Sequence, residues 1–154
     1  MPRAVRRTET PLPRRSALYG GKARGLAALC RAGFPVPAAY AIPATSFAAF
    51  VQTALPVDDQ LPALLSRDLD PERLDARRAR LQAAPFPAEL ERAIRDAFAA
   101  LVREGASGIA VRSSSTQEDQ RQASAAGLHT TVLNVRDADA VLDAVRTCWA
   151  SAFT

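Results

Sequence analysis

An α+β fold, several helices around a small sheet, is the class that three features of this 154-residue sequence predict. Apolar residues recur at three- and four-residue steps in several segments bounded by proline, glycine or aspartate, the pattern of helices with one buried face. Two short apolar runs, at 108–111 and 129–135, have the length and alternation of strands. A composition of 48% hydrophobic, 23% charged and 6% aromatic residues suits one globular domain and excludes a wholly disordered chain.

The elements follow in order. Tyr19-Gly20-Gly21-Lys22 leads into a helix over Ala23 to Ala32 with Leu26, Leu29 and Cys30 on one face, stopped by Gly33 and Pro35. The prolines of 34–43 forbid helix and favour an extended segment. Thr45 is positioned to cap a helix through about Ala54, with Phe47, Phe50 and Val51 facing inward. Residues 55–70 carry only a hint of helix in Leu61, Leu64 and Leu65. Asp70-Pro71 is a strong helix start, because aspartate accepts orphan amides and proline lacks one to satisfy; the arginine-rich segment to Ala84 reads as solvent-facing. Pro87 opens an amphipathic helix through Leu90, Ile94, Phe98, Leu101 and Val102, closed by Gly105. Gly108 to Val111 reads as a buried strand delivering Arg112 into the hydroxyl-rich run Ser113-Ser114-Ser115-Thr116. His129 to Val135 is a second strand, and Asp137 caps a helix with Val141, Leu142, Val145 and Trp149 that is expected to continue to the last residues, as in a truncated chain.

The formal charge of +4 belongs to one end. Arg3, Arg6, Arg7, Arg14 and Arg15 against the single Glu9 account for all of it, so the rest of the chain is neutral and the pI of about 9.8 reflects a basic arm at residues 1–15. Such an arm is expected to be flexible and solvated, and nucleic acid is not the expected partner. No apolar run approaches the roughly 20 residues of a membrane-spanning helix, and the arginine-studded start lacks the apolar core of a secretory signal, which places the protein in the cytoplasm. Cys30 and Cys148 stand far apart in apolar helical patterns and read as buried free thiols in a reducing compartment. His129 alone cannot supply a metal site.

Chemistry concentrates in three stretches. Of 20 basic residues only Lys22 is lysine, and it follows two glycines at the mouth of a helix. A compact ammonium group, close backbone approach and helix-start amides together describe a phosphate grip, and the same residues fit a surface lysine in a glycine turn. Ala23 stands where a Walker A loop needs serine or threonine, so this is not that motif. Arg112, at a strand end, offers phosphate oxygens a two-pronged hydrogen bond, and the hydroxyls after it serve equally well for phosphate, capping or turns. Ala123 to Thr131 is a small-residue loop before a strand, fit for a lid over phosphates or for a plain surface loop.

These residues resemble a known family. Gly20-Gly21-Lys22, Leu26 and Gly33-Phe34-Pro35-Val36-Pro37 are similar to the opening of the N-terminal ATP-binding domain of phosphoenolpyruvate synthase and pyruvate phosphate dikinase, which rifampicin phosphotransferases share. Val111-Arg112-Ser113-Ser114, Glu118-Asp119, Ala123-Ser124, Gly127 and Leu133-Asn134-Val135 resemble its second block, and Cys148-Trp149-Ala150-Ser151 with Phe153-Thr154 its third. The chain departs from the pattern at Ala125, Leu128 and Thr130, and it lacks the family's proline within Asp119 to Ser124.

The resemblance implies an incomplete ATP-grasp-like N-terminal lobe over residues 16–154, part of a phosphotransferase that passes phosphoryl from ATP to a histidine on a separate domain. Lys22, Arg112, Ser124, Gly127 and Thr131 would bind the nucleotide, while Glu118 and Asp119 are carried over more loosely. No catalytic or metal-ligating residue is assigned. Magnesium ligands are expected in the second lobe, which with the remaining domains of the enzyme would be the partner of this piece, and the piece alone is expected to be inactive. A non-catalytic remnant acting as a small binding module is the alternative.

Overall fold

The computed structural model describes residues 5–8, 18–57, 70–114 and 130–153. Their order is β1 (Arg6–Arg7), α1 (Gly21–Arg31), β2 (Tyr40–Ala41), α2 (Ala44–Ala54), α3 (Pro71–Ala83), α4 (Ala88–Arg103), β3 (Ile109–Arg112), β4 (Thr131–Val135) and α5 (Ala138–Ala150). The class is α+β, with the strands in two antiparallel pairs, β1–β2 and β3–β4. No helix among the described residues is long and apolar enough to cross a membrane.

Helix boundaries follow local chemistry. The Asp70 and Asp137 carboxylates accept hydrogen bonds from the amides of Glu72 (3.1 Å) and Ala140 (2.8 Å), so α3 and α5 start where their aspartates stand. α1 and α4 end alike. Gly33 (φ 81°) and Gly105 (φ 97°) adopt the left-handed conformation, and the next residues, Phe34 and Ala106, donate back to the carbonyls of Leu29 and Leu101. The expected cap at Thr45 does not form: α2 starts at Ala44 with Pro43 at the cap position, whose extended backbone suits it and whose carbonyl accepts from Ser46.

α5 is the central element, packed on α3, on α4 and on both β3 and β4. Its own Leu142 and Val145 are buried together with Phe50, Val51, Leu81, Leu90 and Ile94. Trp149 sits among Phe47, Phe50 and Phe86, with ring centroids 5.4, 5.2 and 5.7 Å away. The helical pattern does not continue to the end. The Ser151 hydroxyl donates to the Cys148 carbonyl at 2.7 Å, and the turn that follows sends Phe153 into the core, where its carbonyl accepts from Arg78 Nε at 2.8 Å.

Three further expectations are corrected. α3 is not simply solvent-facing, since Leu81 and Arg77 (2% exposed) are buried by its packing on α5. On α1 only Ala27 is buried and Leu29 is 47% exposed, while Cys30 is half-buried, so no residue of α1 joins the main core. Inside the stretch expected to be a solvated arm, Arg6–Arg7 form β1, and the chain continues into a buried Thr8 whose amide donates to the Ala39 carbonyl. Arg7 is held there by two hydrogen bonds to the Glu104 carboxylate, 2.7 and 2.9 Å, so its charge is neutralised.

Candidate functional site

The first candidate stretch supplies the start of α1. Gly20 is its N-cap residue and has no side chain with which to cap; Lys22 stands in the first turn, half-buried. The second stretch supplies β3, a strand with alternating half-buried and exposed residues that ends on exposed Arg112. Hydrogen bonding between β3 and β4 sets Arg112 opposite Thr131, and the ladder runs one step further through the Ser113 amide, which donates to the Thr130 carbonyl at 3.2 Å. Cross-strand neighbours in register lie side by side on one face, so the guanidinium of Arg112 and the hydroxyl of Thr131 belong to the same exposed surface.

Between Ile109–Val135 and Val111–Val132 the register shifts, because β4 carries one residue more than β3. Asn134 takes up the extra residue with φ 59°, and its side-chain oxygen accepts from Arg136 Nε at 2.9 Å. Regular alternation, expected from His129 to Val135, therefore holds only at the Arg112 end of the strand. His129 lies outside the described residues.

The two stretches meet at Gly20 and Ser114. A Cβ at Gly20 would overlap both the carbonyl and the hydroxyl of Ser114. The Ser114 hydroxyl also accepts from the Ala23 amide, 3.4 Å away, at the third position of α1. The close backbone approach expected of this glycine is thus made to Ser114, and the Ala23 amide, 91 residues before Ser114, is engaged by protein. The start of the helix bearing Lys22 is pressed against the residue two places after Arg112. Among the residues expected to bind nucleotide, Arg112 and Thr131 are cross-strand partners, Lys22 lies between Gly20 and Ala23, which both meet Ser114, and Ser124 and Gly127 lie outside the described residues, as do Glu118 and Asp119.

Other features frame the site. The Ser113 hydroxyl is buried with no hydrogen-bond partner among the described residues. Cys148, buried on α5, directs its thiol at the Thr130 carbonyl (3.4 Å) and the Val111 carbonyl (3.6 Å), underpinning β3 and β4 from the core side. Burial pushes that thiol's pKa up, against the lowering effect of nearby backbone groups. An open groove of about 410 Å³ runs between β4 and α5, lined in part by Leu133, Arg136, Asp143 and Thr147; Lys22, Arg112 and Thr131 are not on its walls. No cluster of three or more His, Cys, Asp or Glu able to hold a metal ion occurs among the described residues.

Known proteins resemble this chain over most of its length. Residues 16–154 match the family described as pyruvate phosphate dikinase, AMP/ATP-binding domain. The chain is 37% identical over 147 residues to a probable phosphoenolpyruvate synthase of Staphylothermus marinus, an overlap of 89% of this chain and 18% of that protein. It is 40% identical over 146 residues to a probable phosphoenolpyruvate synthase of Archaeoglobus fulgidus, covering 89% and 19%. It is 42% identical over 135 residues to the prodigiosin synthesizing transferase PigC of Serratia marcescens, covering 86% and 14%. The chain thus spans less than a fifth of the length of these relatives. By the match over residues 16–154, the chain belongs to the pyruvate phosphate dikinase AMP/ATP-binding domain family.

Proposed function

We propose that the junction of α1 with the β3–β4 pair binds the polyphosphate of ATP, as the first lobe of an ATP-grasp-like domain in a phosphotransferase of the phosphoenolpyruvate synthase type. The observation that carries this reading is the close approach of Gly20 to Ser114, which joins two cation-bearing motifs that lie far apart in the chain. Lys22 supplies a point charge at the start of a helix, and Arg112 supplies a planar fork beside the Thr131 hydroxyl. Their work is electrostatic: they draw the phosphates in, neutralise charge and fix the orientation of the group to be transferred. Magnesium, when bound with the nucleotide, would shield the phosphate oxygens, and no ligand for it is assigned to these residues. In this reading the 123–131 loop, with Ser124 and Gly127, closes over the phosphates, and the transferred phosphoryl passes to a histidine on another domain.

Titration of ATP with magnesium into the 154-residue chain tests the assignment. Lys22→Ala is expected to weaken binding by about tenfold or more, the scale of one lost charged hydrogen bond. Arg112→Lys keeps the charge and removes the fork, and is expected to weaken binding as well. Wild-type affinity in both variants would remove the site from this junction.

A further inference from the structure

We infer that Ser114 is a positioning residue for nucleotide binding: it caps α1 from outside the helix and thereby sets where Lys22 stands relative to Arg112. The inference rests on the nucleotide reading above. A helix normally takes its N-cap side chain from the residue preceding its first turn, which accepts a hydrogen bond from the second or third amide. In α1 that residue is Gly20, which has no side chain, and the acceptor reaching the third amide, that of Ala23, is the Ser114 hydroxyl. The missing side chain is what makes room for the substitute, because any Cβ at Gly20 would collide with Ser114.

The contact matters more here than an ordinary cap, because among the described residues none of α1 belongs to the main hydrophobic core. Its C-terminal end shows the same weakness: Leu29 and Phe34, which flank the glycine stop, are 47% and 59% exposed. Ala27 on α1 and Tyr19 just before it are buried, and the contact that relates the start of the helix to the Arg112 strand is the fit of Gly20 onto Ser114. Ser114 follows Arg112 by two residues, and Ala23 follows Lys22 by one, so the hydrogen bond between them couples the two cations through a few rigid bonds. Loss of the hydroxyl therefore acts on ligand binding by way of Lys22, without Ser114 needing to touch the ligand.

A double-mutant cycle on the 154-residue chain, read as affinity for ATP with magnesium, decides the matter. Ser114→Ala is expected to lower affinity about fivefold, the scale of a lost N-cap. Its amide hydrogen exchange should quicken at Ala23, and its circular dichroism should match wild type. In a Lys22→Ala background the same substitution should change affinity by less than about twofold, since the group it positions is gone. Gly20→Ala, which drives α1 away from Ser114 by a steric route, should reproduce both results. If the losses from Ser114→Ala and Lys22→Ala multiply, or if Ser114→Ala binds like wild type while Lys22→Ala does not, Ser114 does not act through Lys22. If Lys22→Ala and Arg112→Lys both bind like wild type, it is the nucleotide reading itself that fails, and this inference goes with it.

Discussion

Cys148 and Cys30 show how one residue type takes two characters from its surroundings. Cys148 is 4% exposed beneath β3 and β4, whereas Cys30 lies on the loosely packed α1 and is half-buried. Burial disfavours the thiolate of Cys148, so its folded pKa lies above the ordinary value. The unfolded chain then loses this proton first as pH rises. The contribution to stability is complete below about pH 8.5, the ordinary thiol value, and is lost as pH climbs through the raised folded value. Two outcomes are expected. A thiol-labelling reagent should modify Cys30 in the native chain and Cys148 only on unfolding. In denaturant titrations, wild type should lose more stability than Cys148→Ala on passing from neutral pH to about pH 10. Equal labelling rates for the two thiols would contradict the packing of α5 against the sheet.

At the scale of the element, the cap residues decide where helices begin, and their energies can be measured. α5 touches α3, α4 and both strands, so its start is the boundary on which most packing depends. Asp137→Ala should lower stability by about 1 kcal/mol, the usual value of an N-cap, and Asp137→Asn should restore most of it because the amide oxygen still accepts from Ala140. Chemical denaturation of the three proteins is the measurement; equal loss in Asn and Ala variants would assign the effect to charge rather than capping. Signals of this local kind were legible in the sequence: Asp70-Pro71, Asp137, Gly33 and Gly105 each act on a backbone within a few residues of themselves. What escaped it depends on distant partners. β1 is only two residues long and is defined by Tyr40 and Ala41, Arg77 is buried on a helix that packs against α5, and Leu29 is 47% exposed although it follows the apolar pattern of its helix. Lys22 and Arg112 stood out singly by residue type and neighbours. Ser114 did not, since a run of hydroxyls suits capping, turns and phosphate alike, and only its contact with Gly20 distinguishes it.

Across the whole molecule, the core and the candidate site occupy different parts of the fold, which makes their energetics separable. The core gathers aromatic rings from α2, from the segment before α4 and from α5, with Phe50 fully buried and its ring 4.9 Å from Phe86 and 5.2 Å from Trp149. The site is built where α1, outside that cluster, leans on the end of β3. Phe50→Ala removes a ring from a close-packed interior and should cost about 3–5 kcal/mol, a large fraction of the roughly 5–15 kcal/mol by which domains are stable. Leu29→Ala, on an exposed face of α1, should cost well under about 1 kcal/mol. Trp149 is the sole tryptophan and sits inside the ring cluster, so its fluorescence reports the core directly. Unfolding followed by that signal should shift strongly in Phe50→Ala and hardly at all in Lys22→Ala, while ATP affinity should respond to Lys22→Ala. A core transition that moved as far in Lys22→Ala as in Phe50→Ala would mean that α1 is coupled to the interior after all, and that the affinity lost in its variants reflects unfolding rather than the removal of a phosphate contact.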